Sequence, residues 1–136
     1  MKLELNTANG DVMIGDVKIT PMFTIAAIEA LKATYEIIFI YTTGTGFTYY
    51  RSSFLNGGAN AVLFAFSNDK IHKLNIGAGL NYNFPPFEIT EEEKMIAKDI
   101  VKKIGGEHKY SWGEVFYNED YKGGNVNVGI KYNNGR

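Results

Sequence analysis

The sequence predicts one α+β domain, spanning residues 1–136, in which an antiparallel sheet of about six strands packs against two helices. Short β-branched and aromatic runs alternate with turns rich in glycine and asparagine, which is typical of strands. Two segments instead space their apolar residues three or four apart, as helices do. The predicted order is a hairpin, a helix, a four-strand meander, a second helix and a C-terminal hairpin.

Composition narrows the classes of function. With 45% hydrophobic and 21% charged residues, the chain has the composition of an ordinary globular protein. The absence of cysteine excludes disulfides and thiolate metal sites, and it fits a cytoplasmic location. A net charge of -1 provides no field for nucleic acid. Residues 22–41 approach membrane-spanning length but carry Glu29, Lys32 and Glu36, so we expect no membrane span.

The first hairpin is predicted to pair residues 2–5 with residues 12–19 across the turn-forming Asn9-Gly10. Thr20-Pro21 favours a helix start, because the hydroxyl can cap the first turn and proline lacks an N–H that would be unpaired there. The spacing of six residues predicts the apolar side of this helix: Met22, Ile25, Ala26, Ile28, Ala30 and Leu31.

The central meander follows from four runs of strand-forming residues. We predict strands at 35–41, 47–54, 59–66 and 70–76, separated by glycine- or asparagine-containing turns. The third run, 59–66, is apolar on both faces, so either the fold covers both faces or one face meets a partner. Residues 77–88, which contain Pro85-Pro86, are predicted to form a loop.

The second helix has the clearest end signals. Thr90 and Glu93 form a capping-box pattern, and Gly105-Gly106 stops the helix, which predicts a helix over 90–104. Its buried side is predicted to contain Met95 or Ile96, Ala97, Ile100, Val101 and Ile104. The final hairpin is predicted to pair 114–118 with 125–132, burying Val126, Val128, Ile130 and Tyr132 and exposing Asn125, Asn127, Gly129 and Lys131.

No catalytic or metal-binding set is visible. His72 and His108 have no histidine or carboxylate at metal-ligand spacing beside them, so we predict no metal, no cofactor and no enzymatic activity. The acids at 88–93 are explained mainly by helix capping, and they also offer an acidic patch to a basic partner.

Three phrases carry a resemblance to a known family. They are Gly10-Asp11-Val12 to Ile19-Thr20-Pro21, Leu63-Phe64-Ala65-Phe66 through Ile71 to Leu74, and Tyr110-Ser111-Trp112-Gly113-Glu114-Val115 leading into Gly124 to Tyr132. In these phrases and in element order the chain resembles small bacterial immunity proteins of contact-dependent growth inhibition, a polymorphic toxin system. The resemblance implies a non-catalytic protein that binds its cognate toxin domain tightly and covers or distorts the toxin's active site.

A partner-binding surface is predicted from residues expected to lie outside the core. Aromatic side chains supply the desolvated centre of an interface, and carboxylates at its rim speed the encounter with a basic partner. The predicted contact residues are Phe84, Phe87, Glu91, Glu92, Glu119, Asp120 and Tyr121.

Two other classes of function remain open from the sequence. A small-ligand or enzyme domain would place five side chains around an internal cavity in the sheet: Tyr41, Tyr49, Tyr50, Arg51 and His72. A structural module would instead assemble through an exposed sheet edge.

Overall fold

The computed structural model describes residues 3–52, 61–77, 89–120 and 125–133. The predicted loop at 77–88 therefore lies almost wholly outside the described residues. The elements are β1 (Leu3–Leu5), β2 (Val12–Ile14), β3 (Val17–Ile19), α1 (Ile25–Ala30), a 3-10 turn (Leu31–Ala33), β4 (Ile38–Thr42), β5 (Phe47–Ser52), β6 (Val62–Ser67), β7 (Lys70–Gly77), α2 (Glu91–Lys103), β8 (His108–Tyr110), β9 (Gly113–Asp120) and β10 (Asn125–Tyr132).

The strands form two antiparallel sheets. The small sheet has the order β1-β2-β3, and the large sheet has seven strands in the order β4-β5-β6-β7-β10-β9-β8. The α+β class with two helices agrees with the sequence prediction, whereas a single sheet of about six strands understates the strands in the described part of the chain. The last hairpin is not a separate unit, because β10 pairs with β7 on one side and with β9 on the other.

The first predicted hairpin is split by a turn. Gly15 has a φ of 61°, so the predicted strand 12–19 becomes β2 and β3, with Val12 opposite Ile19 and Ile14 opposite Val17. A positive φ is available to glycine at little steric cost. The four apolar residues of this pair are all buried, so the small sheet presents one face to the core.

The start and apolar side of α1 differ from the prediction. Thr24, not Thr20, is the N-cap, and its hydroxyl accepts a hydrogen bond from the N–H of Ala27 at 3.2 Å. The backbone just before the helix is held by β7, because the N–H of Ile71 donates to the carbonyl of Phe23 at 2.8 Å. This tie excludes a helix beginning at Pro21. Met22 is 59% exposed, and Phe23 instead stacks on Phe64 and Phe66.

The prediction for α2 is confirmed. Thr90 and Glu93 form both hydrogen bonds of the capping box, and the N–H of Gly106 donates to the carbonyl of Val101 at 2.8 Å after the helix ends. Ala97, Val101 and Ile104 are buried, Ile100 is half-buried, and Met95 and Ile96 are exposed. The buried side is therefore narrower than the sequence predicts.

The two faces of the large sheet have different character. One face, which we call the helix face, carries buried residues in register across five strands: Tyr50, Phe64, Leu74, Ile130 and Val115. Phe23 packs on this face, and α2 packs on it over β9 and β10. The opposite face, the distal face, carries no helix from the described part of the chain.

The apolar run in β6 faces both ways, as its sequence indicates. Val62, Phe64 and Phe66 are buried on the helix face. On the distal face Leu63 is half-buried and Ala65 is 1% exposed. In β10 the predicted alternation is only partly correct, because Asn127 and Gly129 on the distal face are also buried. The ring of Phe116 lies directly over Gly129, where a larger residue would overlap it.

Candidate partner-binding surfaces

The predicted contact residues fall into two groups. Phe84, Phe87 and Tyr121 lie outside the described residues. Glu91 and Glu92 are exposed in the first turn of α2, while Glu119 and Asp120 are half-buried at the end of β9.

The direction of α2 brings the four acids to one end of the molecule. The ammonium group of Lys98 lies 5.6 Å from the centre of the Tyr117 ring. Gly105, beyond the C-terminus of the helix, lies beside the Tyr110 hydroxyl. The helix therefore runs antiparallel to β9, with its N-terminus towards Asp120. We call Glu91, Glu92, Glu119 and Asp120 the acidic end; its role in binding stays a prediction.

At least two carboxylates of the acidic end have partners within the chain. Glu91 forms an ion pair with Lys94 at 3.3 Å. Glu119 accepts a hydrogen bond from the hydroxyl of Tyr117 at 2.7 Å. These contacts, together with the helix dipole that favours acids at this position, account for much of the acidic end without a partner.

A second surface crosses the distal face from edge to edge. Strand register places one residue of each strand in a continuous row, and we call these seven residues the distal row: Tyr41, Tyr49, Ala65, Lys73, Lys131, Glu114 and Lys109. The row begins with the stacked rings of Tyr41 and Tyr49, whose centres are 4.9 Å apart. Three of its other five residues are lysines, so its second half is basic.

A pocket of about 340 Å³ opens at the basic half of this row. Its walls come from β7, β8, β9 and β10 and the residue after β10: His72, Lys109, Tyr110, Gly113, Glu114, Lys131, Tyr132 and Asn133. Nδ1 of His72 is buried without a hydrogen-bond partner in the described part of the chain. Burial lowers the pKa of His72, and the positive charges of the neighbouring Lys131 and Lys73 lower it further.

The sequence analysis missed this pocket. Lys131 was predicted only as a solvent-facing residue of an alternating strand, and His72 was grouped with tyrosines and Arg51 of β4 and β5 rather than with the lysines. The lysines come together because β10 inserts between β7 and β9, a long-range pairing that alternation along one strand does not specify.

The alternative hypothesis predicts an internal cavity lined by five side chains, and this prediction is wrong. Tyr49 and Tyr50 are successive strand residues and so lie on opposite faces of the sheet. The hydroxyl of Tyr50 donates to Oε2 of Glu29 at 2.6 Å on the helix face. Burial and this hydrogen bond raise the pKa of Tyr50 to about 12, and the same bond lowers the pKa of Glu29. Tyr41, Tyr49, Arg51 and His72 are on the distal face, so the five side chains cannot line one cavity.

The edge strand β4 is unusually apolar and exposed. Ile38, Phe39, Ile40 and Tyr41 are each 37–51% exposed, and β4 is the outermost strand of the large sheet on its side. A register irregularity lies between Phe39 and Tyr41. Irregularities of this kind disturb the regular backbone pattern that an incoming strand would need.

Comparison with known proteins adds one likeness of fold. No protein-family model and no curated protein matches the sequence. The chain is similar to a chain of a solved structure described as "Rhs1-CT in complex with cognate immunity protein RhsI1", with a TM-score of 0.66 and 13% sequence identity. The likeness covers 99% of this chain and 90% of that chain. At this identity it establishes a shared fold.

The remaining searches of the described residues concern metals and membranes. Within residues 3–52, 61–77, 89–120 and 125–133, no three side chains of the usual ligand types are grouped to hold a metal ion. In the same ranges, neither helix has the length and apolar character required to cross a bilayer.

Proposed function

We propose that this protein is an immunity-type binding protein that neutralises a cognate bacterial toxin domain by tight protein–protein association. The observation that carries the proposal is the likeness of fold, over nearly the whole chain, to a chain of a toxin–immunity complex. It supports the same class of function as the sequence resemblance does. Of the toxin systems, the fold likeness favours Rhs and the sequence resemblance favours contact-dependent growth inhibition.

Neutralising a toxin by binding requires only that the surfaces of the two proteins are complementary in shape and charge. The described residues offer two polar surfaces, the acidic end and the distal row, on different parts of the molecule. We propose the acidic end, with Phe84, Phe87 and Tyr121, as one contact surface, and we place the protein in the cytoplasm with its toxin. Rim carboxylates of this kind would act mainly on the association rate.

The test is co-expression of this chain with the toxin domain encoded next to its gene. We expect the cells to survive, and the two proteins to co-elute on size-exclusion chromatography with a dissociation constant of about 1 nM or below, as tight inhibitory complexes have. A toxin domain from an unrelated system serves as the control and should still kill. Continued killing by the adjacent toxin, with no complex on the column, would contradict the proposal.

The acidic end is tested separately by charge reversal. Glu92→Lys should slow association with a basic toxin and reduce the dependence of the rate on salt, because steering by exposed charges is screened within about 10 Å at 0.1 M salt. Asp99→Lys, an exposed acid farther along the same helix, is the matched control. Equal association rates for the two variants would remove the acidic end from the interface.

A further inference from the structure

The basic half of the distal row has an arrangement that folding does not explain. Lys73 and Lys131 are directly opposite each other on β7 and β10. Like charges at directly opposed positions destabilise a sheet. Glu114 is in register with both Lys131 and Lys109, so one carboxylate faces two ammonium groups. The third lysine, Lys73, lies on the far side of β10, two strands from Glu114.

The lysines of the distal row form no ion pair in the part of the chain that the structure describes. Within the described residues, the ion pairs of lysine involve Lys18, Lys32 and Lys94, and Lys73, Lys109 and Lys131 take part in none. Lys109 and Lys131 are exposed, and Lys73 is half-buried. Among the pocket-lining residues that are described, Glu114 is the one carboxylate, against the two lysines Lys109 and Lys131, so a net positive charge remains at this concave site.

The pocket gives this charge a defined shape. Its volume of about 340 Å³ is at the small end of the range for ligand sites, roughly 300–1,000 Å³. It has room for one or two side chains of a partner. His72, which lines the pocket, is fixed on one side by the ring of Phe47, whose centre is 5.5 Å from the imidazole. Rigid walls lower the entropy cost of binding a matching group.

We propose that this pocket receives a carboxylate side chain from an acidic patch on the toxin, held by Lys131 and Lys109 with Lys73 beside them. The inference rests on the proposed function and specifies the chemistry of one contact. A lysine–carboxylate pair in a concave site is a charge-assisted hydrogen bond, and such bonds are stronger than neutral ones.

A protein carboxylate suits the site better than an extended polyanion. Beyond Lys73 the distal row continues with Ala65, Tyr49 and Tyr41, so a nucleic acid that followed the row would meet no further basic side chain in it. A single acidic patch on a folded partner would meet Lys109 and Lys131, which outnumber Glu114 in the pocket wall.

The experiment measures binding of the adjacent-gene toxin domain by calorimetry. Lys131→Gln should weaken binding about tenfold or more, within the range found for close interfacial charge pairs. Lys73→Gln, beside the pocket and not in its wall, should weaken binding by a smaller factor. Lys131→Arg keeps the charge and should retain most of the affinity. Lys103→Gln, an exposed lysine at the C-terminal end of α2, is the matched control and should leave affinity unchanged.

Thermal unfolding separates a binding role from a structural one. Because Lys73→Gln relieves the repulsion between Lys73 and Lys131, its melting temperature should equal or exceed that of the wild type. Lys131→Gln relieves the same repulsion but also removes the charge opposite Glu114, so its melting temperature should stay close to that of the wild type. Weaker binding accompanied by a lower melting temperature would assign the lysines to the fold and overturn the inference.

The binding measurements distinguish an error in the pocket assignment from an error in the proposed function. If the wild-type protein does not bind the toxin domain, both are wrong. If the wild type binds tightly and the glutamine variants bind equally well, only the pocket assignment is wrong.

A parallel titration with inorganic phosphate tests whether the pocket binds that anion instead of a carboxylate. Binding of phosphate is followed by the ring resonances of His72. Saturation by phosphate with no effect on toxin binding would assign the pocket to a phosphate ligand and also overturn the proposal.

Discussion

Tyr132 shows how a single side chain joins distant parts of the sequence. It is 1% exposed, and its hydroxyl donates to the carbonyl of Gly10 at 2.8 Å. Burial and the nearby Asp11 raise its pKa, because ionisation would place a charge in an apolar site. One hydrogen bond thereby joins β10, an interior strand of the large sheet, to the turn between β1 and β2.

Tyr50 makes an analogous tie on the helix face, and it yields a prediction about alkaline stability. Its pKa is raised to about 12 from 10.0, so the unfolded chain loses this proton at a lower pH than the folded protein does. The contribution of Tyr50 is complete below pH 10 and is lost as the pH rises towards 12. We expect the melting temperature of the wild type to fall more steeply than that of Tyr50→Phe across this interval.

The control for this prediction is Tyr41→Phe, because Tyr41 is exposed and lies outside the core. Its alkaline profile should follow that of the wild type, including the separate contribution of Tyr132. Parallel profiles for the wild type and Tyr50→Phe would show that the Tyr50–Glu29 hydrogen bond does not resist ionisation.

At the scale of elements, α2 offers a comparison between two side chains of one helix. Ile104, just beyond the last helical residue, is 3% exposed, whereas Met95 is 66% exposed. Replacing Ile104 by Ala should reduce the free energy of unfolding by about 2–5 kcal/mol, because a buried methyl-rich side chain is lost and a cavity remains. Met95→Ala should change it by less than about 0.5 kcal/mol. Urea denaturation of both variants measures the difference, and equal effects would mean that the helix packs through another side.

The two helices also show which elements could be predicted from sequence. The ends of α2 follow from local signals, Thr90 with Glu93 at one end and Gly105-Gly106 at the other, and they are correct to within a residue. The predicted start of α1 was wrong, because the backbone before the helix is held by β7 through the hydrogen bond between Phe23 and Ile71. A tertiary hydrogen bond overrides a local capping signal, and no local pattern reports it.

The order of the strands in the sheet was harder to predict from the sequence than their positions along the chain. The predicted strands of the last hairpin overlap β9 and β10, but β8, a three-residue edge strand of His108, Lys109 and Tyr110, has no apolar alternation to mark it. The partners of β10 are fixed by contacts far apart in sequence. The basic pocket could not be predicted for the same reason, since its lysines become neighbours only through that pairing.

At the scale of the whole molecule, the two sheets share their interior. Val12, Ile14 and Ile19 of the small sheet belong to the same buried cluster as Phe64 and Ile130 of the large sheet. Trp112 lies where the two sheets meet, in contact with the turn between β1 and β2. Its indole N–H donates to the carbonyl of Thr7 at 2.9 Å, and its ring stacks on Tyr110 with centres 4.9 Å apart. A single domain over the chain, expected from its length, predicts that these parts unfold together.

Trp112 makes this prediction measurable, since it is the only tryptophan of the chain and its ring lies against Gly10. Its fluorescence reports the docking of the turn between β1 and β2, whereas far-ultraviolet circular dichroism reports mainly the large sheet and α2. We expect the two signals to change at the same urea concentration, because a cooperative unit has coincident transitions for different probes. Trp112→Phe removes the fluorescence signal and identifies its source. A fluorescence transition at clearly lower urea would show that the small sheet detaches first and would contradict a single cooperative domain.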